Sequence, residues 1–267
     1  MPELPDVEVY KRYLDRTALR RTIVDVVVND ARTLNQLSPE EFTRRLKGDR
    51  FEESRRHGKH LLVRLGRGGW LTLHFGMTGT LAWFEDPADE PPYDRVRFDF
   101  ERGHLGYVNR RMLGRVGLVE DAESFIREEG LGPDALDPGL DLEAFKRVLD
   151  KRRRDVKSVL MDQGLIAGIG NLYADEILFQ ARLHPKLPVE RLDERQIKTL
   201  FEQIKVVLET AVQCGAGSEQ FIDRLPRSYL LPHREKGGRC PRCGTELATL
   251  KSGGRTTYYC PRCQPGE

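Results

Sequence analysis

Four cysteines near the C-terminus constrain the fold of this chain more than any other feature. Cys240 and Cys243 form one close pair and, after sixteen intervening residues, Cys260 and Cys263 form a second. Thiolates at this spacing fall on two tight turns and complete a tetrahedral Zn²⁺ site. Because the protein supplies all four ligands, no position remains for a substrate, and the metal holds shape only. A disulfide pair and a redox site are the alternatives to structural zinc.

The segment that carries these cysteines, residues 232–267, is too short to form an ordinary hydrophobic core, so it needs a cross-link such as a bound metal ion. Gly253, Gly254 and the run 256–259 favour a hairpin between the two turns. Its basic side chains are Arg242, Lys251, Arg255 and Arg262. The hairpin is therefore either a reader of a nucleic-acid groove or phosphate, or a solvated hairpin whose arginines serve solubility.

Composition excludes several classes of protein. The chain has 267 residues, of which 32% are charged, and a formal net charge of +2; its mean hydropathy is -0.54. No apolar run approaches the roughly 20 residues of a membrane span, and the first residues lack the basic and apolar regions of a signal peptide. We therefore expect a cytoplasmic protein, in which the fifth cysteine, Cys214, is a reduced thiol.

Hydrophobic spacing divides the chain into two kinds of structure. Residues 7–19 have helical spacing and 38–47 predict a short capped helix, whereas short alternating runs at 23–28, 61–65, 70–75, 81–84, 95–100 and 106–108 predict a β-sandwich or barrel. A stretch rich in glycine and proline, residues 130–139, indicates an interdomain linker. Beyond it, helical spacing returns at 142–149, 156–161, 172–181 and 197–212.

The first residues form a candidate nucleophilic site. Cells usually trim the initiator methionine before proline, so we expect the mature chain to begin with Pro2, a free secondary amine. An α-amino group has a pKa of about 7.7–8, against about 10.4 for lysine, so more of it is unprotonated near neutral pH. Such an amine condenses with a sugar aldehyde to an iminium, and Glu3 stands within reach as general acid or base. The alternative is an ordinary helix start with Pro5 in its first turn.

A second motif lies at residues 163–179. Gly164, Gly168 and Gly170 separate two helical stretches and predict a helix, a tight turn and a new helix that begins at about Asn171. Free backbone N–H groups at that start favour a phosphate, and the Asn171 amide can donate to the same anion. The alternative is an ordinary helical hairpin capped by Asn171.

Three separated stretches together resemble one family: Pro2-Glu3-Leu4-Pro5, residues 163–179, and the finger with Gly254-Arg255-Thr256 before its last cysteines. The chain resembles the formamidopyrimidine-DNA glycosylase family of bacterial base-excision repair enzymes from end to end. Endonuclease VIII relatives share the architecture but usually carry glycine where this chain has Leu4. The resemblance implies a multi-domain α+β fold: an N-terminal β-sandwich with a leading helix (1–130), a linker (131–140), a helix–two-turn–helix domain (141–231) and a zinc-finger β-hairpin (232–267).

The resemblance also implies a role for each matching residue. Pro2 attacks the anomeric carbon of a flipped-out damaged nucleoside to give a Schiff base, Glu3 assists sugar opening and proton transfers, and Lys59 binds phosphate and assists elimination. Elimination on both sides of the sugar leaves a single-nucleoside gap. The implied DNA-binding residues are Asn171 and Arg255 at the lesion-flanking phosphates, Met77 in the vacated stack, Arg111 at the widowed base, Leu113 at the wedge position, and His74 and Tyr173 at further family positions.

This chain departs from the family at two places. Where the pattern is close to Asp-Pro-Arg-Arg-Phe-Gly, residues 109–114 read Asn-Arg-Arg-Met-Leu-Gly, so Leu113 replaces an aromatic wedge. Leucine lacks the flat face that stacks on a base, which is worth roughly 1–3 kcal/mol in single strands. The stretch between Cys214 and Cys240 is also shorter than in typical members, where it includes a loop over 8-oxoguanine. We therefore expect weaker lesion interrogation or a relaxed opposite-base preference.

The sequence thus predicts a monomeric, nucleoid-associated DNA glycosylase and abasic-site lyase for oxidised purines in duplex DNA, with one structural zinc and no organic cofactor. A rival of the same architecture prefers oxidised pyrimidines or bare abasic sites. An alternative from another functional class is a non-catalytic lesion-binding protein that uses the helix–turn–helix and the finger only to bind DNA. A third alternative, a zinc-ribbon transcription factor, is disfavoured because it would give Pro2 and Glu3 no function.

Overall fold

The computed structural model describes residues 1–150, 152–217 and 221–266. The chain divides into two compact units. The first consists of residues 1–2 and 7–129, and the second of residues 3–6 together with the chain from Gly130 onward.

The first unit is a β-sandwich of two antiparallel four-stranded sheets. Its strands are β1 (Ile23–Val28), β2 (Phe51–His57), β3 (His60–Leu65), β4 (Trp70–His74), β5 (Gly79–Phe84), β6 (Asp94–Phe100), β7 (His104–Asn109) and β8 (Arg115–Val119). The strand orders are β1-β6-β7-β5 and β2-β3-β4-β8. Alternate side chains of both sheets form one apolar core, which includes Val26, Leu61, Leu73, Phe98 and Val116.

Three helices accompany these strands, and two of them have local caps. α1 (Leu4–Thr17) turns Val7, Leu14 and the following Ala18 into the sandwich core. α2 (Pro39–Leu46) starts as expected, with the Ser38 hydroxyl accepting from a backbone N–H and proline at the first position. α3 (Ala122–Glu128) is capped by Asp121.

The second unit is helical and ends in a hairpin. It contains α4 (Leu142–Leu149), α5 (Val156–Leu160), α6 (Asn171–Ala181), α7 (Glu194–Cys214), β9 (Ala248–Ser252) and β10 (Arg255–Tyr259). α6 is buried on nearly every side, so its apolar residues follow no single stripe. The long α7 packs along it, with a full capping box at Asp193 and a left-handed Gly215 at its end.

Hydrophobic spacing located most of these elements but missed three. β2 has the sequence Phe-Glu-Glu-Ser-Arg-Arg-His, with one apolar residue, and becomes a strand because β3 pairs along its length. β8 is short and interrupted by Gly117, and α3 spans only seven residues. The predicted fold class, a leading helix and β-sandwich, a helical domain and a C-terminal hairpin, is confirmed. In the described ranges, no helix is long and apolar enough to cross a membrane.

Candidate functional site

The carboxylate of Glu3 caps helix α6. Glu3 is 1% exposed, and its two oxygens accept the backbone N–H groups of Gly170 (2.8 Å), Leu172 (2.9 Å) and Tyr173 (3.2 Å). Gly170 offers no side-chain cap, and a Cβ at this residue would collide with the Glu3 side chain. A negative charge at a helix N-terminus is favourable because it meets both the unpaired N–H groups and the dipole. The acid or base predicted beside Pro2 is therefore rigidly held.

The backbone around Pro2 is held with equal firmness. The N–H of Glu3 donates to the Asp6 carboxylate at 2.8 Å, and the N–H of Leu4 donates to the Gly168 carbonyl at 3.0 Å. Pro2 itself is buried. Any chemistry at the Pro2 nitrogen therefore starts from a positioned group, which is what a covalent nucleophile requires.

Asn171, the first residue of α6, is oriented by a buried lysine. Its side-chain oxygen accepts from Lys157 Nζ at 2.7 Å, and its Nδ2 donates to the carbonyl of Thr256 at 3.2 Å. An amide nitrogen carries two hydrogens, so one donor of Asn171 is left for another acceptor. This side-chain donor can bind a phosphate, whereas the backbone N–H groups of Gly170, Leu172 and Tyr173, which the sequence offered for the same anion, are bound to Glu3 instead.

Lys157 is fully buried and ties three elements together. Besides Asn171, its ammonium donates to Asp175 Oδ1 (2.6 Å) on α6 and to Thr257 Oγ1 (2.6 Å) on β10. Burial lowers the pKa of Lys157, and the Asp175 carboxylate acts in the opposite direction. Three donors meet three acceptors, so the buried charge is fully compensated.

The zinc-finger hairpin is fixed against α6 by the same network. Arg234 donates from Nε to Asp175 Oδ2 at 2.9 Å and from a terminal nitrogen to the Thr256 carbonyl at 2.9 Å. The Thr256 carbonyl also accepts a hydrogen bond from Asn171. Arg255 immediately precedes Thr256, and its side chain is exposed. The structure therefore brings Glu3, Asn171 and Arg255 together around the start of α6.

Tyr173 lies in the core. Its side chain is fully buried, and its hydroxyl donates to the Ala216 carbonyl at 3.1 Å. Burial raises the pKa of this phenol. What Tyr173 offers to the site is therefore its backbone N–H, which binds Glu3.

Lys59 lies in the first unit, in the turn between β2 and β3. It is 8% exposed and follows Gly58, whose φ of 56° is left-handed and suits glycine. His74 lies at the end of β4, close to the positive charges of Lys59 and Arg115. Burial, and then the charges of Lys59 and Arg115, lowers the pKa of His74. Its Nδ1 accepts from the Gly76 N–H at 3.4 Å, so the neutral ring carries its proton on Nε2 and can donate there.

Met77, Arg111 and Leu113 lie on two loops that touch. The N–H of Arg111 donates to the Thr78 hydroxyl at 3.2 Å, and Nδ2 of Asn109 donates to the Phe75 carbonyl at 3.2 Å. Gly76 has no room for a Cβ because the backbone of Leu113 lies against it. Leu113 is 49% exposed at the loop tip. The structure therefore brings these three predicted residues to one edge of the sandwich.

The four predicted metal ligands form one cluster. The sulfur atoms all lie within 4.8 Å of one another, with 3.8 Å between those of Cys240 and Cys263 and 3.5 Å between those of Cys243 and Cys260. Zinc–sulfur bonds of about 2.3 Å place tetrahedral sulfurs about 3.8 Å apart, so the residues fit Zn²⁺. Burial raises the pKa of Cys263 to about 12, and a cation is what makes thiolates stable in such a cluster.

Arg242 is a tie between the finger and α6. It donates to the Phe179 carbonyl at 2.7 Å and to Gln180, and its guanidinium lies 4.2 Å from the centre of the Phe179 ring. Arg255 and Arg262, by contrast, are exposed, and neither is hydrogen-bonded to α6 in the described part of the chain.

Comparison with known proteins decides the family. A family model for the formamidopyrimidine-DNA glycosylase N-terminal domain matches residues 1–116, one for the H2TH domain of the same enzymes matches 131–223, and one for the zinc finger found in FPG and IleRS matches 237–266. The chain belongs to the formamidopyrimidine-DNA glycosylase family. The resemblance expected from the sequence is thus confirmed.

Individual members of the family match from end to end. The chain is 36% identical to a formamidopyrimidine-DNA glycosylase of Thermomicrobium roseum, over 99% of both chains. It is 34% identical to one of Synechococcus elongatus, over 99% of this chain and 98% of the relative. Among solved structures, a Lactococcus lactis formamidopyrimidine-DNA glycosylase bound non-covalently to DNA with an AP site matches with a TM-score of 0.89 and 28% identity, over 99% of this chain and 100% of that one. Another structure of the Lactococcus lactis enzyme, with DNA containing N7-benzyl-Fapy-dG, matches equally well.

Sequence reasoning missed the residues that hold the candidate site in place. Lys157, Asp175 and Arg234 orient Asn171 and the hairpin, and Glu176 accepts the N–H groups of Leu230 and Leu231. One signal was available. Asp175 and Glu176 are adjacent acids inside a mostly apolar helix, and acids in such positions are almost never fully buried unless they are paired.

Proposed function

We propose that this chain is a DNA glycosylase and abasic-site lyase of base-excision repair that acts on oxidised purines in duplex DNA through its N-terminal proline. The observation that carries the proposal is the Glu3 carboxylate, which is buried and bound by three backbone N–H groups. This carboxylate belongs to the residue next to Pro2, whose nitrogen becomes a free secondary amine once Met1 is removed, so an acid or base is held directly beside the nucleophile. Family membership supports the same conclusion.

The chemistry follows from a secondary amine next to a held carboxyl group. Once Met1 is removed, the nitrogen of Pro2 forms a bond to C1′ of the damaged nucleoside as the bond to the base breaks. The amine then loses its proton, and cleavage of the C1′–O4′ bond with proton transfer to O4′ gives the iminium. The iminium withdraws electrons, which makes the C2′ proton acidic and permits elimination of the 3′ and then the 5′ phosphate. Glu3 transfers the protons that sugar opening and elimination require. Lys59 binds a phosphate near the lesion and supports elimination.

The remaining predicted residues hold distorted DNA. A base inside a duplex is unreachable, so the target nucleotide is extruded at a cost of a few kcal/mol. Asn171 and Arg255 bind the flanking phosphates, with His74 as a further donor. Met77 and Leu113 fill the vacated stack, and Arg111 contacts the widowed base.

We propose that zinc serves structure alone. Cys240, Cys243, Cys260 and Cys263 hold it, and Zn²⁺ supplies cross-linking of two turns that have only a small core of their own. We also propose a functional division into a catalytic sandwich at 1–130, a linker at 131–140, a helix–two-turn–helix domain at 141–231 and a finger at 232–267. We place its action in the cytoplasm, on nucleoid DNA.

Borohydride reduction tests the proposal. The chain without Met1 is mixed with a duplex that bears an abasic site, and sodium borohydride should convert the Schiff base to a stable adduct. Peptide mapping by mass spectrometry should locate this adduct on Pro2. A variant with a short N-terminal extension should form none, because its proline nitrogen is an amide, whereas the matched C-terminal extension should react normally. An adduct on a lysine, or none with the processed chain, would contradict the mechanism.

A further inference from the structure

An exposed tyrosine lies between two arginines at one end of strand β6. Tyr93 immediately precedes β6, and its ring centre lies 5.5 Å from the guanidinium carbon of Arg95 and 5.9 Å from that of Arg110. All three belong to the first unit. We call Tyr93, Arg95 and Arg110 the arginine–tyrosine surface.

The backbone fixes this surface to the loop that carries Arg111. The carbonyl of Tyr93 accepts the N–H of Asn109 at 3.0 Å, and Nε of Arg95 donates to the carbonyl of Asn109 at 3.0 Å. Both partners thus bind the residue directly before Arg110. Arg110 therefore leaves β7 beside the Tyr93 ring.

Tyr93 occupies a conformation that folding alone does not favour. Its φ is 66°, in the left-handed region, which costs a residue with a Cβ on the order of 1–2 kcal/mol. Its side chain is nevertheless 48% exposed, so little burial offsets this cost. Strained backbone of this kind is concentrated at binding and catalytic sites.

The charge around the ring is positive. Among the residues that the structure describes, the exposed guanidinium of Arg110 has no hydrogen bond or ion pair. The carboxylates that face the surface are already engaged or buried. Asp30 lies 3.7 Å from Arg95 but pairs with Arg32 at 2.7 Å, Glu90 pairs with Arg97, and Asp94 is buried.

We propose that the arginine–tyrosine surface binds the sugar–phosphate backbone of duplex DNA. Arg110 supplies charge and donors to phosphate oxygens. Arg95, which is bound to the Asn109 carbonyl and lies 3.7 Å from Asp30, fixes the backbone before Arg110, and the Tyr93 ring packs on the sugar. The inference rests on the proposed function and extends its DNA contacts to residues outside the predicted set. Backbone contacts add affinity without base readout, so the surface holds damaged and undamaged duplexes alike.

Salt-dependent binding tests the proposal. Fluorescence anisotropy is measured on the full chain with a labelled duplex bearing a stable abasic analogue and with its undamaged counterpart, between about 50 and 200 mM salt. Arg110→Ala should weaken binding of both duplexes about 3- to 10-fold and reduce the slope of log K against log salt by about one. Tyr93→Ala should weaken both with little change in slope, and Tyr93→Phe should bind within about twofold of the parent, because the ring and not the hydroxyl makes the contact.

Arg21→Ala is the matched control. Arg21 also lies over an aromatic ring, 4.8 Å from the centre of Trp83, but it precedes Ile23, which pairs with Phe100 at the far end of β6. Seven residues of strand separate the two ends by about 20 Å. Binding by Arg21→Ala should equal that of the parent.

The outcomes separate this inference from the proposed function. An Arg110→Ala variant with the parent's affinity and salt slope overturns the arginine–tyrosine surface, even if the parent forms the borohydride adduct. If the parent binds the abasic duplex but forms no adduct, only the lyase proposal is overturned. The salt dependence of binding can still be measured in that case, so the arginine–tyrosine surface is tested independently. Loss of affinity only for the abasic duplex also overturns the surface, because it would show lesion readout instead of backbone binding.

Discussion

The ammonium of Lys157 and the side-chain oxygen of Asn171 lie 2.7 Å apart, and this contact determines which end of the Asn171 amide remains available. Because Lys157 is a donor only, it selects the oxygen and directs the Asn171 nitrogen away from itself. One hydrogen of that nitrogen binds the Thr256 carbonyl. The other is left for a phosphate at the start of α6.

Replacement of Lys157 should therefore damage stability and DNA binding together. Lys157→Met leaves the fully buried Asp175 carboxylate with one cation fewer and removes the constraint on Asn171. We expect the free energy of unfolding to fall by about 3–5 kcal/mol, as when one partner of a buried pair is removed. Chemical denaturation measures this change.

Asn171→Ala is the companion variant. It removes the phosphate donor but leaves Lys157 paired with Asp175 and Thr257. Affinity for an abasic duplex should fall about tenfold, while the free energy of unfolding should fall by about 1–3 kcal/mol, less than in Lys157→Met, because one buried donor of Lys157 loses its acceptor but its charge stays paired. Equal losses of stability in the two variants would contradict the role assigned to Lys157.

Leu113→Phe should increase the affinity for a duplex that bears an abasic site. The half-exposed leucine fills volume but offers no face for stacking, and an aromatic ring gains roughly 1–3 kcal/mol per stacked base in single strands. We expect at least about threefold tighter binding and a sharper difference between the four opposite bases, measured by cleavage of four duplexes. Val24→Phe, at a residue of similar exposure (48%), is the control and should have no effect. Unchanged activity opposite all four bases would refute the idea.

Loss of zinc should abolish DNA binding through the finger. Cys240→Ser removes one of four thiolate ligands, so we expect bound zinc, measured by elemental analysis, to fall well below one per chain. Arg255 is then no longer held near Asn171, and affinity for duplex DNA should fall about tenfold or more. Cys214→Ser is the matched control, because Cys214 lies at the end of α7 and outside the cluster. Full zinc content in the Cys240 variant would exclude the four-thiolate site.

Stability should decline with pH through the titration of Asp94. Burial, and then the charge of Glu90, raises its pKa from 3.8 to about 7, and neither of its carboxylate oxygens has a close hydrogen-bond partner among the described residues. The folded state thus holds a proton that the unfolded state releases between about pH 4 and 7. Across that window the protein loses stability as pH rises, by on the order of 4 kcal/mol at 1.36 kcal/mol per unit.

Asp94→Asn removes this titration. The variant and the parent should have similar melting temperatures near pH 4, and the variant should melt higher at pH 8. Asp25→Asn is the control, since a hydrogen bond from Lys47 lowers the pKa of that exposed carboxyl group and its loss brings no gain at high pH. A difference between Asp94→Asn and the parent that is independent of pH would rule out the buried acid as the cause.

Local patterns were sufficient for the parts of this protein that depend on neighbours in the chain. Two close pairs of cysteines predict the zinc site because each turn spans only four residues, and the cluster is confirmed. The caps at Ser38 and the start of α6 at Asn171 are likewise local and occur where the sequence places them. The order of these motifs also predicted the family, which the comparisons confirm.

Only the tertiary structure determined which residues position the candidate site. Lys157 contacts Thr257, one hundred residues away, and Glu3 caps a helix that begins at residue 171. Neither pairing has a periodic signature, because a buried charge is determined by the groups that folding brings around it and not by its sequence neighbours. For the same reason Tyr173 has a motif position but a core side chain, and the charged strand β2 exists only because β3 supplies its hydrogen bonds.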